Sequence, residues 1–146
     1  MRSIELRHYW VAALKNLTLL NLAATPVKGK GYVHLHGLTN LKVLYLYNSE
    51  ATNSGLANLA NLKTLNVLGL SSTHVGDAGL NYLKSLSNLQ ELSLWGTPVS
   101  DAGLVSLYGL KRLRVLDLTN TKASPAGVAA LRMALPRCRI QSGPPK

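Results

Sequence analysis

The apolar positions of this 146-residue chain recur with a single period. Leucine returns every 24 residues along Leu14, Leu38, Leu62, Leu86 and Leu110, and again along Leu17, Leu41, Leu65, Leu89 and Leu113. It does so also along Leu20, Leu44, Leu68, Leu92 and Leu116, along Leu22, Leu46, Leu70, Leu94 and Leu118, and along Leu35, Leu59, Leu83, Leu107 and Leu131. Small and polar residues keep the interval too. A hydroxyl stands at Thr25, Ser49, Thr73, Thr97 and Thr121, and a glycine at Gly31, Gly55, Gly79, Gly103 and Gly127. With Leu56, Leu80 and Leu104, these columns take up 28 of the 31 leucines, so the leucine excess is the repeat itself.

Each unit contains two shorter periods. The alternation Leu92-Ser93-Leu94 predicts a strand with one buried face. In the second half, Asp77 to Leu86 spaces leucines by three, which predicts a helix with one apolar side. Asn53, Asp77 and Asp101 stand where that helix begins and are expected to cap its free N–H groups; Ser124 before Pro125 offers the same device. Asn16, Asn40 and Asn88 follow the helix, where a residue tolerant of left-handed geometry would reverse the chain. The glycine column is expected to let neighbouring coils approach closely. One coil cannot bury its own leucines, so five must stack, with strands about 4.8 Å apart in a parallel sheet.

The unit, LxxLxxLxLxxTxVxDAGLxxLxxL in its best copies, resembles the leucine-rich repeat family. The core signature stands as Leu65 to Thr73, Leu89 to Thr97 and Leu113 to Thr121, with Thr where the family usually has Asn. The continuation in Thr73 to Leu80 and Thr97 to Leu104 is similar to short repeats of bacterial proteins and to those following F-boxes in ubiquitin-ligase adaptors. The resemblance covers residues 14 to 140. It implies an α/β solenoid arc of five repeats, with the parallel sheet on the concave side, short helices on the convex side, and the Thr/Ser column as a buried structural ladder. The expected organisation is one leucine-rich repeat domain over 1–140. Within it, 1–13 form a degenerate helix or partial repeat, 14–135 the five repeats and 136–140 a C-terminal cap with Cys138-Arg139-Ile140 as an edge strand; 141–146 are a loose tail.

Candidate chemistry lies where the repeat makes no demand. Six, four and two residues before each hydroxyl, side chains should face the concave solvent side. Among these, Tyr45, Tyr47 and Trp95 are amphipathic aromatics of the kind that anchor interfaces. The alternative is that Tyr47 and Trp95 close over Gly69 and Ser71 as filler. Lys42, Glu91, Arg114 and Asp117 surround them, with Arg114 expected to pair with one of the two acids. The resulting expectation is a non-catalytic scaffold that binds an unidentified protein or peptide, with no cofactor and no metal. His8, His34, His36 and His74 map to the outer helix or loops, and Ser71 and Ser93 have no histidine in range for a hydrolase triad. Cys138 between Arg137 and Arg139 could have its thiol pKa lowered, although a structural thiol is favoured.

Charge and length add limits. The formal charge is +10, but residues 1–110 hold eight bases against five acids, and 111–146 hold eight bases against one acid. That basic end makes nucleic acid or another anionic polymer the alternative partner. No aromatic lies beyond Tyr108, and the bases do not form one stripe. A structural segment of a longer array, or a monomer self-associating weakly through its first coil, is the other alternative. One cysteine excludes an internal disulfide framework. No apolar run reaches the roughly 18 residues that span a bilayer, and no secretory signal is seen, so the expected setting is the cytoplasm, without a membrane.

Overall fold

The computed structural model of the chain describes residues 14–143. The expected N-terminal helix or partial repeat (1–13) and the end of the expected tail (144–146) lie outside the described residues. Six three-residue strands, β1 (Leu19–Asn21), β2 (Val43–Tyr45), β3 (Val67–Gly69), β4 (Glu91–Ser93), β5 (Val115–Asp117) and β6 (Arg139–Gln141), form one parallel sheet in sequence order. Register is set by the middle residue of each strand. Leu20, Leu44, Leu68, Leu92, Leu116 and Ile140 stand directly beside one another, so the buried face is a row of aliphatic side chains. β6 forms where the edge strand was expected and runs one residue into the segment expected as a tail, with Gln141 paired to Asp117.

The second half of each coil departs from the sequence expectation. Asn53–Leu56 (α1), Asp77–Leu80 (α2) and Asp101–Leu104 (α3) are single α-turns. They pass into 3-10 helix at Ala57–Leu59, Asn81–Ser85 and Val105–Leu107. The first coil is 3-10 throughout Gly29–Gly37. Leucines at strict intervals of three, such as Leu80, Leu83 and Leu86, stay on one side of a helix of 3.0 residues per turn and drift off one of 3.6. Only the last coil makes a longer α-helix, Pro125–Ala134 (α4), where Ser124 Oγ accepts from Gly127 N at 3.0 Å as the expected N-cap. The columns Leu35, Leu59, Leu83, Leu107 and Leu131 are completely buried, and burying each such side chain is worth about 2–3 kcal/mol. In the first coil Tyr32 replaces the leucine of that helix start. It is fully buried, its hydroxyl lies 3.4 Å from Ser49 Oγ, and burial raises its pKa.

Asn53, Asp77 and Asp101 do not cap their own helices; each reaches the next coil. Asn53 Oδ1 accepts from Gly76 N at 2.7 Å and Gly79 N at 3.1 Å. Asp77 accepts from Ser100 N at 2.7 Å and Ser100 Oγ at 2.5 Å, and Asp101 takes the same two bonds from Ser124. The reason is geometric. A side chain at the first helical position points back past its own turn toward the coil stacked on it, where the following helix start presents unpaired N–H groups. This arrangement explains the glycines at 79, 103 and 127: a Cβ on Gly103 would meet Asp77 Oδ1 at 2.4 Å and Asp77 Cα at 3.0 Å. The expected close approach of coils is therefore present: Gly79, Gly103 and Gly127 meet Asn53, Asp77 and Asp101 of the preceding coil, whereas Gly55 meets Gly29 and Tyr32.

Left-handed geometry also falls elsewhere than expected. Ala24, Asn48, Ser72, Gly96 and Asn120 have φ between 53° and 67°, one in every coil, immediately before the hydroxyl. These residues turn the chain out of the strand, and each hydroxyl then donates to the carbonyl three residues back, as Thr73 Oγ1 to Leu70 O at 2.7 Å. Asn40 and Asn88 instead bind the preceding coil, donating to Lys15 O at 2.8 Å and Lys63 O at 2.7 Å. Thr64 does the same to Thr39 O at 2.8 Å. The hydroxyl column thus closes single turns, and the Asn/Thr column ties coils together.

Two predictions follow from these ladders. Gly103→Ala should cost about 1–3 kcal/mol by overpacking, and the part due to the carboxylate should disappear when combined with Asp77→Ala while the part due to the Asp77 backbone remains, a coupling readable in a urea double-mutant cycle. Asp101 has its pKa lowered, first by the Ser124 hydroxyl and then by the Ser124 amide. Its stabilisation is therefore complete above the carboxylate's unfolded pKa and is lost as pH falls through the lower folded value. The gap in urea midpoint between the wild type and Asp101→Ala should be widest near neutrality and close toward acid pH.

Candidate functional site

The outward face of the sheet is built by alternation within each short strand and by the residues that follow it. Register places Asn21, Tyr45, Gly69, Ser93, Asp117 and Gln141 in one row across the sheet. A second row holds Leu19, Val43, Val67, Glu91, Val115 and Arg139. A third, beyond the strand ends, contains Tyr47, Ser71 and Trp95, tied by Asn48 N to Ser71 O and Ser72 N to Trp95 O, each at 2.8 Å. Tyr47 is 41% and Trp95 43% exposed, so neither has been drawn into the core.

The expected site residues fall into two groups. Tyr45 and Tyr47 meet on β2 and the turn after it, with ring centroids 5.7 Å apart and planes tilted by 55°. Both lean toward β3, where a Cβ on Gly69 would lie 3.1 Å from Tyr45 Cδ1 and 3.4 Å from Tyr47 Cδ1. The pair that covers Gly69 is thus Tyr45 with Tyr47, and Trp95 stands apart on the far side of Ser71. Ser71 Oγ and Ser93 Oγ bond to each other at 2.7 Å and make a low polar floor. Lys42 flanks the tyrosine side, while Glu91, Asp117 and Arg114 lie with Trp95 toward the C-terminal coils.

Arg114 does not pair with Glu91 or Asp117. Asp117 Oδ1 turns back to accept from Thr119 N at 2.9 Å, and the ion pair observed among the described residues is Lys28 Nζ with Glu50 Oε2 at 3.3 Å. Arg114 lies instead beside Cys138, whose thiol it pulls downward; burial outweighs it and raises the Cys138 pKa. The flanking Arg137 and Arg139 do not activate this thiol. Cys138 in the native protein should therefore alkylate more slowly at mildly alkaline pH than in the urea-unfolded chain, a ratio measurable with iodoacetamide and mass spectrometry. Other C-terminal bases are committed to hydrogen bonds within the last coil or to the coil before it. Lys111 Nζ donates to Ala134 O at 2.9 Å, Arg112 Nη1 to Asn88 Oδ1 at 2.5 Å and Arg132 Nη2 to Ile140 O at 3.3 Å.

On the histidines, His36 Nδ1 contacts Val33 O within Gly29–Gly37, and His74 lies in a loop; His8 is outside the described residues. Among the described residues, no group of three or more His, Cys, Asp or Glu side chains is placed to hold a metal ion, and no helix is long and apolar enough to cross a membrane. A feature that the sequence columns did not single out is an open groove of about 960 Å³ at the strand-to-helix loops, lined by residues including Ser72, His74, Pro98, Asn120, Lys122 and Pro125. Its signal was present in the mixed column Ala24, Asn48, Ser72, Gly96 and Asn120, where no one residue type fills the position.

The six stacked strands, one per coil, and the short helical turns behind them make this chain a leucine-rich repeat protein. It is similar to internalin C2 of Listeria monocytogenes, with 26% identity and a TM-score of 0.73 over 95% of this chain and 57% of that one. A leucine-rich repeat protein of Leptospira interrogans aligns at 23% identity and a TM-score of 0.61, over 90% and 38% of the two chains. The second actin-binding site of leiomodin-1 aligns at 19% identity and a TM-score of 0.68, over 94% and 90%. The chain thus spans little more than half of the internalin chain and less of the Leptospira chain. No family model matches the sequence, and no curated protein matches it.

Proposed function

We propose that the chain is a non-catalytic scaffold that binds a protein or peptide on the exposed face of its sheet. Tyr45, Tyr47 and Trp95 serve as anchors, and Lys42, Glu91, Arg114 and Asp117 set polarity and register around them. One observation carries this reading. The equivalent positions in other coils are Asn21, Gly69 and Ser93, and Ala23, Ser71 and Thr119, so the repeat builds its sheet without aromatics there. Tyr47 and Trp95, left more than a third exposed beside the half-buried Tyr45, offer contact area with little rotamer entropy to lose. The lone cysteine, with its thiol kept protonated by burial, fits a reducing cytoplasmic setting, and the Listeria and Leptospira neighbours fit a bacterial one.

The test is affinity capture from the source cell on immobilised wild type and on a Tyr47→Ala/Trp95→Ala variant matched in circular dichroism and urea midpoint. Both side chains are exposed, so the variant should fold. A partner held by the wild type should bind at least about tenfold more weakly to the variant. Equal retention of every captured protein on both columns would overturn the proposal.

A further inference from the structure

We infer that the space between Tyr47 and Trp95 seats a proline-rich segment in polyproline II conformation, with Lys or Arg on its Trp95 side. This rests on the binding role proposed above and names the partner's chemistry. Tyr47 and Trp95 hold the same position two coils apart. Parallel strands are spaced about 4.8 Å, which sets the two aromatic positions about 9.6 Å apart along the row. A polyproline II helix has three residues per turn and rises about 3.1 Å per residue, so residues on one of its sides recur about every 9.3 Å. A segment laid across the strands therefore brings every third residue against an aromatic wall.

The space between the walls suits such a segment. Ser71 is small and its hydroxyl is tied to Ser93, while the Tyr45–Tyr47 contact over Gly69 fixes the tyrosine wall before any ligand arrives. Neither tyrosine hydroxyl nor the Trp95 indole N–H is bonded to another described residue. The indole can only donate and a phenol can donate, which matches a ligand rich in exposed carbonyls and poor in N–H groups.

Charge sets the direction. Among the described residues, Glu91 and Asp117, on the Trp95 side, have no ion-pair partner; Arg114 and Arg139 share that side and pair with neither, but Asp117, one strand over and two residues back in the register, is closer to the Trp95 position than either base. Lys42 stands at the opposite, tyrosine end. A cation on the segment is thus favoured beside Trp95 and disfavoured beside Tyr47.

The experiment titrates the whole chain into a fluorescein-labelled decamer carrying prolines at intervals of three and a terminal Arg-Lys, read by anisotropy. Saturable binding is expected below about 1 mM. Replacing the prolines by glycine, replacing Arg-Lys by Glu-Glu, or introducing Trp95→Ala should each weaken it by about tenfold. Ser71→Arg, which fills the floor and leaves the aromatics in place, should abolish it and serves as the deciding variant if Trp95→Ala fails to fold. No saturable binding to the folded wild type, equal binding of the glycine peptide, or indifference to Ser71→Arg each overturns the inference. A captured protein that requires Tyr47 and Trp95 while the proline decamer does not bind would leave the scaffold reading standing and remove this one.

Discussion

Parallel strand pairing is the constraint from which the rest of this structure follows. Backbone hydrogen bonds fix adjacent coils about 4.8 Å apart at the sheet, whereas packed helices ordinarily keep their axes about 8–10 Å apart. Every coil must reconcile those spacings within its 24 residues. The back layer does so by being thin, with single α-turns continued as 3-10 helix, and by placing glycine where the next coil presses against Asn53, Asp77 or Asp101. The leucine columns are the apolar filling of the wedge between the two layers.

The same constraint makes function local. Because the lattice demands nothing of the outward sheet positions, those positions can vary without loss of fold, and a binding surface there is set by a few side chains on a fixed grid. Tyr45 and Tyr47 are held by each other and by the absent side chain at Gly69. Trp95 follows β4 and makes no ring contact with either tyrosine. Rigidity of the grid, rather than depth of a cavity, is what this face offers a ligand.

Much of the fold could be read in the sequence because periodicity and burial are one fact in a solenoid. Leu44, Leu68, Leu92 and Leu116 recur every 24 residues and are the buried row. Partnership was harder to read. A side chain bonding within its own coil and one bonding to the next coil leave the same column in the sequence, so Asp77 looked like a cap for its own helix. The left-handed position was hidden for another reason: it is filled by Ala24, Asn48, Ser72, Gly96 and Asn120, with no glycine signature to mark it. The expected partner of Arg114 failed because Asp117 finds a backbone N–H two residues away, closer than any neighbouring side chain. The aromatic positions were legible as departures from the repeat, but which pair touches depended on Gly69 being empty.

The cross-coil acid ladder has a sense of direction. Asn53 serves the coil after it, Asp77 the next and Asp101 the last, where Ser124 donates both bonds and Pro125 stands in the place of a further acid. Among the described residues the ladder therefore stops at Pro125, while the sheet goes on to β6. Splicing an additional Asp77–Ser100 unit into the middle would preserve every handover, whereas appending one after Pro125 would meet a coil with nothing to pass on.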